Sequence, residues 1–222
     1  MPQLNARLKV FLSEYLRYRS SIDRGLCLLD VGCGRNAVLA AHRAEGDVYH
    51  GCDFFDSAPS AVDHYWSLDL NIASVVETAP PGVQYDVVFC GEIIEHLFSP
   101  DALLRDLWAL LKRSGILILS TPNLGYYVNR LLLLFGVSPL YLENSAEVKL
   151  GRKSRFLGQN NPTEGHIRLF TYGAVKDLVA RERFEIERVI PTTVWNFPPD
   201  RLVCRLSRSL APLNVFVLRR GL

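Results

Sequence analysis

The sequence has no paired cysteines, almost no net charge and no long apolar run, and each absence removes a class of function. Its five cysteines, Cys27, Cys33, Cys52, Cys90 and Cys204, are scattered, and none forms a CxxC spacing. A disulfide framework and a zinc site are therefore not expected, and a reducing compartment fits best. The formal net charge is only +2, so charge alone announces no nucleic-acid role. No apolar run approaches the roughly 20 residues needed to span a bilayer. The opening MPQLNARLKVFLSEYLRYRS lacks the apolar core of a signal peptide. No internal repeat, low-complexity tract or Ser/His/Asp order stands out. These absences predict a cytoplasmic protein without stable nucleic-acid binding.

What is present is a rhythm. Apolar residues make up 49% of the chain, enough for a sizeable core, and the length favours one domain over residues 1–222. Leu4, Leu8, Phe11, Leu12, Tyr15 and Leu16 recur near the helical period, which predicts a helix over 3–20. Continuous apolar runs then predict strands at 26–31, 48–53, 65–70, 85–90 and 116–120. Between them, Asn36 is expected to open a helix, Asn71 to cap a short one, and Ser99-Pro100-Asp101 to start a strong one. Strands alternating with helices and written as unbroken apolar runs indicate a parallel sheet covered on both faces. Beyond Pro122 the rhythm breaks until about residue 165, and an interruption of that length marks a lid or substrate element. It returns with a helix capped by Thr171, a strand at 184–190, a helix over 201–210 and a last strand at 215–218.

Two stretches carry chemistry. LLDVGCGRN places a glycine loop after a strand, where bare backbone approaches a ligand closely. Asp53 ends the next strand, at a spacing that suits an acid accepting hydrogen bonds from ribose hydroxyls. A dinucleotide fingerprint would need a third glycine where Ala37 stands, which argues against a nicotinamide enzyme. The second stretch is GEIIEHLF, residues 91–98, which sets Glu92, Glu95 and His96 at the mouth of a buried strand. Three readings compete. In one, Glu92 touches a cofactor or a backbone amide and Glu95 is solvated. In another, His96 is a general base. In the third, Glu92, Glu95, His96 and the distant His166 hold a hard divalent ion.

LLDVGCG, the acid in GCDFF, Asp69-Leu70, YDVVFCGEIIEHL and LLKRSGILILSTPN occur in an order that resembles the class I S-adenosylmethionine (SAM)-dependent methyltransferases. The likeness covers roughly residues 25–123 and extends weakly through FEIERVI and VFVLRR. It implies a Rossmann-like, doubly wound α/β/α fold with seven mostly parallel strands and an antiparallel last strand. It implies that Asp30, Gly32 and Gly34 cradle the methionine end of SAM, that Asp53 binds the ribose, and that Asp69 sits near the adenine. Cys33, Phe54, Leu70 and Cys90 complete the expected cofactor set, the cysteines as small packing residues. Asn36 stands where the family loop often has a third glycine, and Asn tolerates a left-handed backbone. The ExxEH pattern with a distant histidine resembles two groups, the ubiquinone-pathway O-methyltransferases and the small-RNA 2′-O-methyltransferases that use such residues to hold magnesium. The expected activity is methyl transfer from SAM to an oxygen of a small, lipid-linked or glycan acceptor, with Mg2+ as a candidate second cofactor. The alternatives are a metal-assisted RNA 2′-O-methyltransferase and a non-catalytic SAM-binding protein. In the insertion, Tyr126, Tyr127, Leu131–Phe135 and Tyr141 are expected to roof a pocket, pack on the core or touch a membrane through 124–155. The cluster Lys149, Arg152, Lys153 and Arg155 is expected to meet an anion or to be a solvated loop.

Overall fold

The computed structural model describes residues 4–194 and 198–221; the expected helix start at residue 3 lies outside them. Seven strands form one sheet in the order β3-β2-β1-β4-β5-β7-β6. They are β1 (Cys27–Val31), β2 (Val48–Asp53), β3 (His64–Ser67), β4 (Tyr85–Gly91), β5 (Leu111–Pro122), β6 (Phe184–Thr192) and β7 (Leu213–Arg220). β1 to β5 pair in parallel, and β7 runs antiparallel between β5 and β6. The doubly wound sheet with an antiparallel last strand is as expected.

The strands read as apolar runs because both faces are covered. Leu28, Val87 and Phe89 pack on one face with Phe11, Tyr15 and Tyr18 of α1 (Ala6–Arg19). Leu29, Val31, Val88 and Cys90 pack on the other with Leu103, Leu104 and Leu107 of α3 (Pro100–Leu110). Adjacent residues go to opposite layers, as the two-residue period of a strand requires. The α1 face differs in detail from the expected stripe: Leu16 is exposed, and Tyr18 takes its place. The buried Glu14 of α1 pairs with Arg188 of β6, tying this helix to the far edge of the sheet.

Two expected helix starts are corrected. No α-helix follows the glycine loop; turns lead into a single 3-10 turn at Ala40–His42. Ala37, not Asn36, adopts the positive φ, at 38°, and a left-handed residue there interrupts helical continuation. The short helix α2 (Val75–Thr78) is capped by Ser74, whose hydroxyl accepts from Val76 and Glu77. Asn71 instead accepts from the Phe98 amide, joining the segment after β3 to the segment after β4. The remaining helices are α4 (Tyr127–Leu134), α5 (Tyr172–Arg181, capped by Thr171 as expected) and α6 (Pro198–Leu206). α6 begins at Pro198, earlier than expected, because a proline in the first turn costs no hydrogen bond. Among the described residues no helix is long and apolar enough to cross a membrane.

Candidate active site

The chain leaves β1 toward β2 and β3 on one side, and later builds β4 and β5 on the other. The carboxyl ends at such a reversal form a crevice where ligands bind, and here three cavities meet. One of about 440 Å³ is lined by Gly32, Asp53, Phe54, Asp69, Leu70 and Asn71, among others. One of about 210 Å³ is lined by Arg7, Asp30, Gly32, Cys33, Gly34 and Gly91, among others. A third, of about 350 Å³, is lined by Arg7, Tyr141, His166 and Val194, among others. Glu92, His96 and Glu164 line both the first and the third. They form the wall between the expected cofactor space and a second space.

The cofactor side is built by strand ends. At φ +74°, Gly32 turns the chain so closely beneath Ile93 that a Cβ there would lie 2.1 Å from its side chain. The Gly32 amide donates to the Cys52 carbonyl at 2.9 Å, and the Gly34 amide to Asp53 Oδ2 at 2.8 Å. Asp53 also accepts from Phe54 N at 2.8 Å. An ionised carboxylate has about four lone-pair sites, so Asp53 braces the loop and keeps acceptor capacity for a ligand. Asp69 accepts from Asn71 N while lining the same cavity. Phe54 is exposed at the rim, its ring centroid 4.1 Å from that of Phe55. Tyr49 donates to Asp30 at 2.7 Å, and burial raises the Asp30 carboxyl to about 6. Cys90 is fully buried in the core and is not among the residues lining these three cavities.

The wall is more constrained. β4 and β5 pair Gly91 with Ser120, so Glu92 emerges beside Ser120 and accepts from its hydroxyl at 2.9 Å. Glu92 has φ 61°, an unusual conformation for a side-chain-bearing residue and one that concentrates at functional sites. Of the three readings, the one in which Glu95 is solvated is excluded: Glu95 is 0% exposed, in the 3-10 turn Ile94–His96. Its Oε2 accepts from Thr121 at 2.9 Å, while Oε1 has no hydrogen-bond partner among the described residues. Burial raises both the Glu92 and Glu95 carboxyls, and the Glu92 charge raises Glu95 further.

His96 and His166 lie with ring centroids 4.9 Å apart, although 70 residues separate them in the chain. Each places Nδ1 against a backbone carbonyl, Gly165 at 3.0 Å and Tyr141 at 3.1 Å respectively. A carbonyl only accepts, so Nδ1 carries the hydrogen on each ring, which leaves Nε2 as the ligating or basic atom whenever a ring is neutral. Burial lowers the His96 pKa, which favours its neutral form. One potential ligand atom from each of Glu95, His96 and His166 lies within 4.8 Å of the others. Glu92, expected in the same ligand set, is outside that cluster and stands beside it on the cavity wall.

Four groups brace the segments around His166, and none of these roles was foreseen. The carboxylate of Glu143 accepts from the amides of Glu164, Gly165 and His166 at 2.7–2.8 Å. Burial alone would raise Glu143, but these three donors outweigh it and hold its carboxyl below the usual range. The Glu95 carbonyl accepts from Ile167 and Arg168. Lys149 is buried and pairs with Glu143 and Glu164. Arg152, also buried, donates to the carbonyls of Leu140, Leu142 and Leu157. The expected anion-binding or solvated basic cluster therefore loses Lys149 and Arg152, which are internal braces of the insertion.

Arg7 was also missed. It lines two of the cavities, and a Cβ on Gly91 would lie 2.1 Å from its Nη1. Its positive charge lowers the carboxyls of Asp30 and Glu92 against the effect of burial. A single arginine on an amphipathic helix gives no local signal of such a position; only the packing of α1 over β4 reveals it.

A family model described as a methyltransferase domain matches residues 2–189. The chain is 33% identical over 115 residues to a ubiquinone biosynthesis O-methyltransferase of Citrobacter koseri, covering 49% of this chain and 48% of that protein. It is 31% identical over 123 residues to the protein of the same name from Escherichia coli O157:H7, covering 53% and 51%. The chain thus spans about half the length of these curated relatives. Among solved structures, a SAM-dependent methyltransferase from Clostridium acetobutylicum superposes with TM-score 0.63 at 10% identity, covering 99% of this chain and 93% of that one. Magnesium protoporphyrin IX methyltransferase from Synechocystis, with bound SAH, superposes with TM-score 0.55 at 15% identity, covering 100% and 90%.

Proposed function

The chain belongs to the SAM-dependent methyltransferases, and from that premise we propose that it transfers the methyl group to an oxygen of a small acceptor, lipid-linked or glycan in character, seated in the cavity of about 350 Å³. The observation that carries this reading is the shared wall. Glu92 and His96 face both spaces, so a donor in one and an acceptor in the other meet beside them.

The residues present fit the cofactor. Asp30 and Arg7 line one cavity and offer opposite charges to the ammonium and carboxylate of a methionine end. A Cβ added at Gly34 would meet nothing within 4 Å, so that side of the loop is open to a ligand. SAM, when bound, supplies a methyl group already activated on a sulfonium. The protein's task is to hold the acceptor oxygen in line, a positioning effect that supplies on the order of 7–11 kcal/mol in well-oriented reactions. His96 Nε2, neutral and directed by the Gly165 carbonyl, takes the acceptor proton. That step contributes roughly 10²–10⁴-fold. Tyr141 and Val194 give the acceptor an apolar wall.

The donor set of Glu95, His96 and His166 also fits a divalent ion. Its support is the buried Oε1 of Glu95, which has no hydrogen-bond partner among the described residues, and the two rings fixed through Nδ1. Such an ion would polarise the acceptor oxygen, and His96 would then be a ligand rather than a base. An RNA 2′-O-methyltransferase would share this set. It would also need a wide basic surface with stacking side chains, and Lys149 and Arg152 are engaged internally.

The test incubates the protein with methyl-labelled SAM and either catechol-type phenols, prenylated phenols, sugars or small RNA, with and without chelator. Label entering an oxygen of a small acceptor supports the proposal, and label entering RNA alone refutes it. Activity that survives chelation assigns His96 as the base. Activity abolished by chelation and restored by Mg2+ assigns the cluster as ligands.

A further inference from the structure

We infer that the face formed by α4, α6 and the 151–158 turn docks on an anionic lipid bilayer. The inference does not depend on the identity of the acceptor. Large apolar side chains usually turn inward, so a contiguous exposed set is informative. On α4 the buried residue is Asn129, while Leu131 and Leu133 are exposed and Leu134 is 76% exposed. Phe135 follows at 70%, and Phe156, on the neighbouring turn, reaches 96%. On α6, Leu202 and Leu206 are exposed one turn apart, Leu206 at 74%.

The segments that carry these residues are neighbours in the fold, joined by hydrogen bonds. Tyr126, preceding α4, donates to Asp200 of α6 at 2.7 Å. The Tyr127 amide donates to the Leu210 carbonyl, and Lys153 Nζ to the Phe135 carbonyl. The charge of the face has one sign. Arg130, Lys153, Arg155, Arg205 and Arg208 are exposed on these segments. Over residues 124–137, 151–158 and 198–210 the single acid is Asp200, and it is buried. The net charge of the whole chain is only +2, so this is a local concentration. The expected contact through 124–155 is thus redrawn, with α6 supplying cations where Lys149 and Arg152 do not.

A bilayer is the occupant that uses both features. Exposed leucine and phenylalanine enter the acyl boundary, and arginine meets anionic headgroups. A nucleic acid would use the cations but not the leucines. A second copy of the same face would set like charges against each other. Tyr141 lies in the chain between α4 and the turn and lines the acceptor cavity, so the docking face and that cavity share a segment.

The test is cosedimentation of the whole protein with vesicles of phosphatidylcholine alone and of equimolar phosphatidylcholine and phosphatidylglycerol. Pelleting with the anionic vesicles, weakened by salt, is expected. It should fall about tenfold or more in Arg205→Gln/Arg208→Gln, at roughly 1 kcal/mol per basic residue near the surface. Leu134→Ser/Phe135→Ser/Phe156→Ser should abolish it while SAM titration stays at the wild-type value, which separates docking from folding. No pelleting with either vesicle, or pelleting unchanged in the triple variant, overturns the inference. So does a salt-stable dimer that the triple variant dissolves, or a mobility shift with RNA in place of vesicle binding.

Discussion

The two sides of the active-site wall are built in different ways. The cofactor side comes from the carboxyl ends of consecutive parallel strands: Asp30 and the glycine loop after β1, Asp53 at the end of β2, and Asp69 after β3. Backbone hydrogen bonds between neighbouring strands hold it, and its residues stand where the chain emerges. The proposed acceptor side is gathered from α1, the turn after β4, the insertion that carries Tyr141, Glu164 and His166, and the segment after β6. What holds it are buried carboxylates reaching across the chain: Glu143 to the amides of 164–166, and Glu95 to Thr121. The lesson is that the fold supplies a cofactor cradle through its strand order, whereas the acceptor wall depends on a few charged groups, each of which can be removed.

Substitutions can break this division, and the largest effect is expected at the wall. His96→Ala should lower kcat by on the order of 10²–10⁴ and leave SAM affinity close to wild type, read by steady-state kinetics beside calorimetry. A parallel loss of SAM binding would mean that the two sides are one unit. On the cradle, Asp53→Ala removes acceptors for the Gly34 and Phe54 amides and for the ribose. At about 1.5–3 kcal/mol for a charged hydrogen bond, SAM affinity should weaken by roughly 10- to 100-fold.

The pH dependence of SAM binding sharpens the cradle further. Asp30 is raised by burial to about 6, so the folded protein takes up a proton there that the unfolded chain would release. That group's contribution to stability is full below the ordinary carboxylate range and is lost as pH rises through about 6. For SAM the sense is opposite, because its ammonium needs the ionised carboxylate. Affinity should fall about tenfold per pH unit below that point, and Asp30→Asn should flatten the profile. A wild-type profile flat from pH 5 to 8 would remove Asp30 from the ammonium site. The smallest effect is expected for Glu143→Ala. It should raise the acceptor KM a few-fold, because the loop it braces keeps its other ties through the Glu95 carbonyl and Arg152, with SAM binding unchanged.

The cradle was legible because its signals are local. A glycine loop between an apolar strand and a polar turn, and an acid ending the next strand, are set by backbone geometry within a few residues. The absent helix after the loop was not legible, because the left-handed Ala37 carries no mark in the sequence. Lys149 and Arg152 misled for a related reason. A charged residue in a polar stretch reads as solvated, and only the arrival of Glu143, Glu164 and three backbone carbonyls makes its burial tolerable. Arg7 gave no local signal at all, and Glu95, one of the candidate metal ligands, gave no sign in the sequence that its side chain is fully buried.

By itself the sequence determined the alternation of strands and helices, the two-faced core and the edge of the sheet where ligands gather. The first two follow from the periods of strand and helix, and the last from the resemblance of the glycine loop and strand-end acids to a known family, with the reversal of strand order that explains it seen in the structure. The tertiary structure alone decided that His166 meets His96, that Glu95 approaches both with an oxygen that has no hydrogen-bond partner among the described residues, and that leucines of α4 and α6 are exposed on neighbouring segments. These depend on segments far apart in the chain meeting in a low-dielectric site, where the cost of burying each charge, and so its role, is set by neighbours that no local pattern encodes.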